Sequence, residues 1–167
     1  MEIKGCSFTG HRNFPAEHRQ RLTELLRRAV EYAYNSGCRR FYAGGALGFD
    51  TLAAREVIRF RLSHTDVSLV LLLPYLNQNE CWSEADTNAY EYILSEADEV
   101  IYVSEEYTKS CMQKRNKALA EVGDIMVAYV SRPRSGSGQT ARMAESLGKK
   151  VYNLYFSLEK DGENTES

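Results

Sequence analysis

Between Asp66 and Pro74 the chain reads Val-Ser-Leu-Val-Leu-Leu-Leu, an almost unbroken apolar run over residues 67–73. A strand points successive side chains to opposite faces, so a run without polar alternation needs cover on both sides. Such a segment fits an inner strand of a parallel sheet that carries helices on each face. Pro74 stops it, because proline has no N–H for the ladder.

The remainder of the chain supplies matching parts. Strand-like segments at residues 3–8, 40–43, 99–103, 125–130 and 151–155 alternate with helical ones. Pro15 opens the first helix, where its fixed φ is tolerated, and Gly37 closes it. Leu22, Leu25, Leu26, Ala29, Val30 and Ala33 recur between them at helical spacing. A second helix runs from about Asp50, with Leu52, Ala53, Val57 and Phe60 on one face. A third covers residues 84–96. Ser110 and Gln113 have capping-box spacing for a fourth, which runs to Val122. A Gly/Ser loop precedes a fifth, which holds Met143, Ala144 and Leu147 and ends at Gly148. Tyr32, Tyr34, Tyr42 and Tyr102 are assigned to the core or its boundary, His18 and His64 to the surface.

This alternation predicts an α/β fold: one Rossmann-like, doubly wound, mainly parallel sheet of about six strands with helices on both faces. A length of 167 residues suits one domain with a real core. The domain is expected over residues 1–156, with a polar, disordered tail over 157–167. No apolar run approaches the ~20 residues of a membrane span, and residues 1–10 read as a strand rather than a signal peptide. Cys6, Cys38, Cys81 and Cys111 lie far apart, without metal-site spacing, so free thiols and a cytoplasmic setting are expected and no metal is. A net charge of −2 lacks the basic excess of a dedicated nucleic-acid binder, which argues against nucleic acid as a partner.

Open α/β sheets bind ligands beyond the carboxyl ends of their strands. The unusual residues fall after those ends. Thr9-Gly10-His11-Arg12 follows the first strand, and Gly44-Gly45-Ala46-Leu47-Gly48-Phe49-Asp50 the second. Tyr75, Gln78 and Trp82 follow the third, while Tyr107, Arg115 and Asn116 follow the fourth. Ser135-Gly136-Ser137-Gly138-Gln139-Thr140 follows the fifth, near Arg132 and Arg134. Opposite-edge loops such as Asn35-Ser36-Gly37 are ordinary connections. Glycines admit close backbone approach and helix N-termini attract anions, so both Gly-rich segments suit a phosphate. Each also has a plainer role, as a tight turn capped by Asp50 or as a surface loop. His11 has the ordinary pKa of an acid–base group, but a hydrogen-bonding role is as natural. Tyr75, Trp82 and Tyr107 can stack on a base or ribose, or pad the surface.

Taken in order, these motifs resemble the YpsA-like proteins, a branch of the SMF/DprA–LOG (SLOG) superfamily, over about residues 2–155. The resemblance implies a Rossmann-like fold and a nucleotide-derived ligand such as NAD, ADP-ribose or a nucleoside phosphate. It also implies a tendency to self-associate, hence a homodimer. The LOG enzymes of this superfamily cut N-glycosidic bonds of nucleoside monophosphates and carry Met-His-x-Arg-Lys and Pro-Gly-Gly-x-Gly-Thr-x-x-Glu. Here the corresponding segments are Met112-Gln113-Lys114-Arg115-Asn116 and Ser135-Gly136-Ser137-Gly138-Gln139-Thr140-Ala141-Arg142-Met143. The arginine has a counterpart and the catalytic glutamate has none; Glu145 lies past its place.

The function expected is binding or sensing of a nucleotide-derived small molecule, with no cofactor required. Its ligand would meet Thr9, Gly10, His11, Arg12, Gly44, Gly45, Gly48, Asp50, Tyr75, Gln78, Trp82, Arg115, Asn116, Ser135, Gly136, Ser137, Gly138 and Thr140. Two alternatives stand beside it. One is a LOG-like nucleoside 5′-monophosphate N-glycosidase, with Arg115, Asp50 or Glu145 as catalytic candidates. The other is DprA-like single-stranded DNA binding.

Overall fold

The computed structural model describes residues 4–159. Among them six strands, β1 (Lys4–Gly10), β2 (Cys38–Ala43), β3 (Ser68–Leu73), β4 (Glu99–Tyr102), β5 (Ile125–Tyr129) and β6 (Lys150–Asn153), alternate with five helices, and residues 155–159 after β6 are helical too. The five are α1 (His18–Asn35), α2 (Phe49–Arg61), α3 (Glu84–Glu96), α4 (Cys111–Val122) and α5 (Gly136–Ser146). The strands form one sheet in the order β4-β3-β2-β1-β5-β6, and every pairing is parallel.

The apolar run behaves as its composition requires. Leu69, Leu71 and Leu73 of β3 join the large core under α1, α2 and α3, while Val70 and Leu72 meet Leu119 of α4 on the opposite face. Met126 of β5 likewise meets Ala120 of α4 and Ala144 of α5. Small residues on that second face bring the two helices close to the sheet. The sheet is therefore doubly wound, as the alternation predicts. The edge strands β4 and β6 are only four residues long and half-exposed, with Glu99 and Lys150 blunting them.

The chain runs outward from β1 through β2 and β3 to β4, then returns over the sheet in α4 to place β5 on the other side of β1. Neighbouring strands β1 and β5 thus send their connections away to opposite faces. A crevice opens beyond their carboxyl ends, the position where α/β sheets bind ligands.

Several local expectations change. The segment assigned to a Gly/Ser loop is the first turn of α5, because Ser135 caps it and Gly136 is already helical. Ser110 stands at the N-cap of α4 without a side-chain cap, since its backbone is helical rather than extended. Pro15 precedes α1 and accepts from the His18 N–H at 2.9 Å instead of entering the helix. Tyr32 and Tyr102 are exposed, because one lies on the outer face of α1 and the other ends an edge strand. His18 and His64 are half-buried: His18 Nδ1 bonds Tyr129 Oη at 3.0 Å, and the His64 ring stacks on Phe60. Of the residues expected to form a tail, 157–159 are helical and Leu158 is in the core. Its remainder, 160–167, lies outside the described residues.

Candidate functional site

The crevice is built around His11, the residue after β1. Its backbone N–H donates to the Tyr129 carbonyl at 3.2 Å, and its own carbonyl accepts from Phe49 N–H at the start of α2. Its ring Nε2 accepts from Ser131 N–H at 2.9 Å and, at 3.4 Å, from Arg132 N–H. One residue thereby ties β1, β5 and α2 together. Burial, helped by the Arg132 charge, lowers its pKa. With Nε2 accepting, the proton sits on Nδ1 and the ring is neutral. The geometry gives His11 the hydrogen-bonding role and removes Nε2 as a free base.

The first Gly-rich segment, residues 44–50, packs inward. Gly44 lies between Arg115 and Asp50: an added Cβ would stand 2.8 Å from Arg115 Nη1 and 2.9 Å from Asp50 Oδ2. Arg115 Nη1 donates to the Gly44 carbonyl, and Gln78 Nε2 donates to the Gly45 carbonyl at 3.2 Å. Gly48 has φ +79°, and any Cβ there would lie 2.0 Å from the Arg12 carbonyl oxygen. Only glycine fits that crossing. These three glycines stand behind the cleft rather than in it; Ala46 and Asp50 represent the segment on its wall.

Asp50 is buried on the first turn of α2. Its Oδ2 accepts from Ala46 N–H at 3.2 Å, and its Oδ1 has no partner. Burial pushes its pKa up to about 6, against the opposing pull of Arg115, the Ala46 bond and Arg12. Arg115, on α4, is also buried, and burial pulls its pKa down while Asp50 opposes the change. Its Nε donates to Asn116 Oδ1 at 2.9 Å.

The third wall is the start of α5. Ser135 Oγ accepts from Gly138 N–H at 3.1 Å and donates to the Arg132 carbonyl at 2.6 Å. The Ser135 carbonyl takes Gln139 N–H at 2.9 Å. The cap leaves the amides of Gly136 and Ser137, the first two of the helix, at its open end beside the cleft. Gly138 is pressed under Pro133, where a Cβ would meet a carbonyl oxygen at 2.3 Å. Gly136 is different: nothing lies closer to its imagined Cβ than Asn116 Nδ2 at 3.8 Å.

These walls enclose about 420 Å³, lined also by Thr9, Gly10, Arg12, Asn116 and Arg132. A neighbouring hollow of about 320 Å³ shares Arg12 and Met112 with it and is lined by Tyr75, Gln78, Trp82 and Tyr107. Tyr75 and Tyr107 meet edge to face at 5.5 Å, and Trp82 leans on Tyr90 at 5.2 Å.

Most of the residues singled out from the sequence meet in these two connected hollows. Gly44, Gly45, Gly48 and Gly138 do not line them, because each is consumed by packing. Thr140 turns the other way, donating to the Gly136 carbonyl at 2.8 Å and facing a groove between α4 and α5. Glu145 faces a separate hollow beside Arg142 and Phe156, so it is set apart from Asp50 and Arg115. Arg132, Met112 and Ala46 line the cleft but were not among the sequence candidates. Arg132 lies three residues beyond the end of β5 and figured in the sequence only as a neighbour of the later Gly-rich segment. Met112 and Ala46 carry no polar signal.

The sequence model described as the YspA SLOG family matches residues 7–156. A UPF0398 protein of Bacillus thuringiensis (strain Al Hakam) is 28% identical over 144 residues, covering 84% of this chain and 78% of that one. Among solved structures, DNA processing protein A of Streptococcus pneumoniae superposes with a TM-score of 0.65 at 17% identity, over 90% of this chain. The chain spans half the length of that protein. A structure concerning single-stranded DNA binding by DNA processing protein A of Helicobacter pylori gives 0.63 at 18% identity, over 95% of this chain and 73% of that one. At such identities the likeness is one of fold. It nevertheless removes the force of the charge argument against nucleic acid, since the fold also serves a protein studied for that binding. Among the described residues no helix is long and apolar enough to cross a membrane.

Proposed function

Since the chain belongs to the YspA SLOG family, we propose that the cleft between β1 and β5 binds a nucleotide-derived small molecule, with its phosphate at the start of α5, and that the protein acts by binding or sensing it. The observation that carries this reading is Gly136. Its neighbours in sequence and space explain the other loop glycines, but no protein atom requires this one. A glycine with an open Cβ position at a helix N-terminus admits an anion against the backbone. Arg12, Arg115 and Arg132 line the same cleft and favour negative charge. The adjoining hollow with Tyr75, Trp82 and Tyr107 offers aromatic surface for a base.

A thermal-shift panel of AMP, ATP, NAD and ADP-ribose tests the proposal. Saturation at one hundred times Kd adds about 2.7 kcal/mol of stability. At least one nucleotide should raise Tm, and Gly136→Asp should abolish the shift while leaving the unliganded protein folded. A Gly136→Asp variant with undiminished affinity refutes the phosphate site.

A second reading, binding of single-stranded nucleic acid, draws on the same arginines and on Tyr107, which is 66% exposed beside them. Stacking on exposed aromatics within a basic groove is how such chains are held without sequence preference. A labelled oligonucleotide belongs in the same panel. A salt-dependent shift favours this reading, and a salt-independent or absent one removes it.

A further inference from the structure

Among the described residues, one buried side-chain polar atom lacks a hydrogen-bond partner: Asp50 Oδ1. Such an atom is costly unless something arrives to satisfy it. Asp50 is 5% exposed and lines the cleft; Oδ1 itself is closed to solvent, so a donor reaches it only once the side chains around it give way. The bond from Ala46 N–H to Oδ2 fixes the carboxyl in place and leaves Oδ1 over. The other charged side chains lining the cleft, Arg12, Arg115 and Arg132, are all cationic. A wall made solely to hold phosphate gains from cations and amide donors and loses from a carboxylate. Asp50 therefore adds something that anion binding does not need.

Resting on the anion-binding reading proposed above, we infer that Asp50 determines the specificity of this cleft: its Oδ1 accepts a hydrogen bond from a neutral hydroxyl or amine of the ligand and turns away a second phosphate, so that the cleft selects a sugar phosphate over a bare oligophosphate. Two opposite effects of one atom support it. A carboxylate oxygen is an acceptor only, so it welcomes a donor and repels phosphate oxygens, which in their ionised form can only accept. Burial strengthens both effects, because the local dielectric is low. The ligand then spans two unlike contacts, phosphate oxygens at the amides of Gly136 and Ser137 and a hydroxylated carbon frame at Asp50.

Calorimetric titration of the full chain with ribose 5-phosphate and with inorganic pyrophosphate, above neutral pH, tests this. Wild-type protein should bind ribose 5-phosphate more tightly, although pyrophosphate carries more charge and the cleft is rich in arginine. This comparison needs no variant. Asp50→Asn then keeps an acceptor for Ala46 N–H and puts an amide donor where Oδ1 stood. It should move the ratio of the two dissociation constants toward pyrophosphate by roughly tenfold or more, the worth of a charge-assisted hydrogen bond. Wild-type preference for pyrophosphate, or a ratio unmoved in the variant, overturns the role of Asp50 and leaves the anion site standing. Failure of both probes to bind wild-type protein overturns the inference and the anion site together.

Discussion

Replacing Asp50 by Asn should stabilise the protein at neutral pH. The carboxyl is fully buried, and its pKa rises from 3.8 to about 6, chiefly through burial. At ~1.4 kcal/mol for each pH unit, that displacement is worth roughly 3 kcal/mol. The sign follows from proton linkage. A carboxyl whose pKa is raised on folding holds its proton more tightly in the native state. Its stabilising contribution is present below pH 3.8 and is lost as pH climbs through about 6. At neutral pH the ionised group therefore costs roughly 3 kcal/mol relative to its neutral form. Asn mimics the neutral form and keeps the bond from Ala46 N–H. For a chain of this size the gain corresponds to roughly 6–12 °C in Tm. Urea unfolding of both proteins across the acid-to-neutral range provides the assay. The two stabilities should converge near the ordinary carboxyl pKa and separate as pH rises. A variant less stable than wild type above neutrality, or a difference that does not change with pH, refutes the reasoning.

Two further outcomes follow from the packing and the His11 bracket. Leu71 is fully buried on the inner strand β3, so Leu71→Ala should cost ~2–5 kcal/mol by urea unfolding; a loss under about 1 kcal/mol means that the site collapses around the cavity. His11→Ala strands the N–H groups of Ser131 and Arg132 and should cost ~1–3 kcal/mol at about pH 8. Because the His11 pKa is lowered on folding, its stabilising contribution is lost as pH falls below the ordinary value. The difference between His11→Ala and wild type should therefore shrink as pH falls below the ordinary histidine value; a difference that grows there contradicts the neutral bracket.

Periodicity carried most of the architecture. The 67–73 run, with no polar alternation, already demanded two covered faces, and β3 has them. α3 spans Glu84–Glu96, the residues its pattern indicated. The strand order was not legible, because every parallel α/β chain shows the same alternation and the order depends on contacts between distant segments. Hence the sequence indicated which edge gathers the candidate residues but not that β1 and β5 frame the cleft among them. The start of α5 was misread for a related reason. Ser, Gly, Ser and Gly suggest a loop by composition, whereas the Ser135 cap and the close fit of Gly138 under Pro133 make them a helical turn.

The two Gly-rich segments show why composition could not assign their roles. Both follow a strand, both begin a helix, and each satisfies the same expectation for a phosphate loop. The difference lies in what a methyl group would meet. At Gly44 it meets Arg115 and Asp50, at Gly48 the Arg12 backbone, and at Gly138 the Pro133 carbonyl. Those glycines let the protein close on itself, and they fix the buried carboxyl and guanidinium that face the cleft. At Gly136 the methyl meets nothing nearer than Asn116 Nδ2 at 3.8 Å, an ordinary contact. The segment nearer the amino terminus thus builds the rigid wall and presents Asp50, and the later one keeps its backbone open. A substitution at Gly44 or Gly48 should accordingly disturb folding before binding, whereas one at Gly136 should disturb binding before folding. That ordering ties the functional claim to sterics and not to the frequency of glycine.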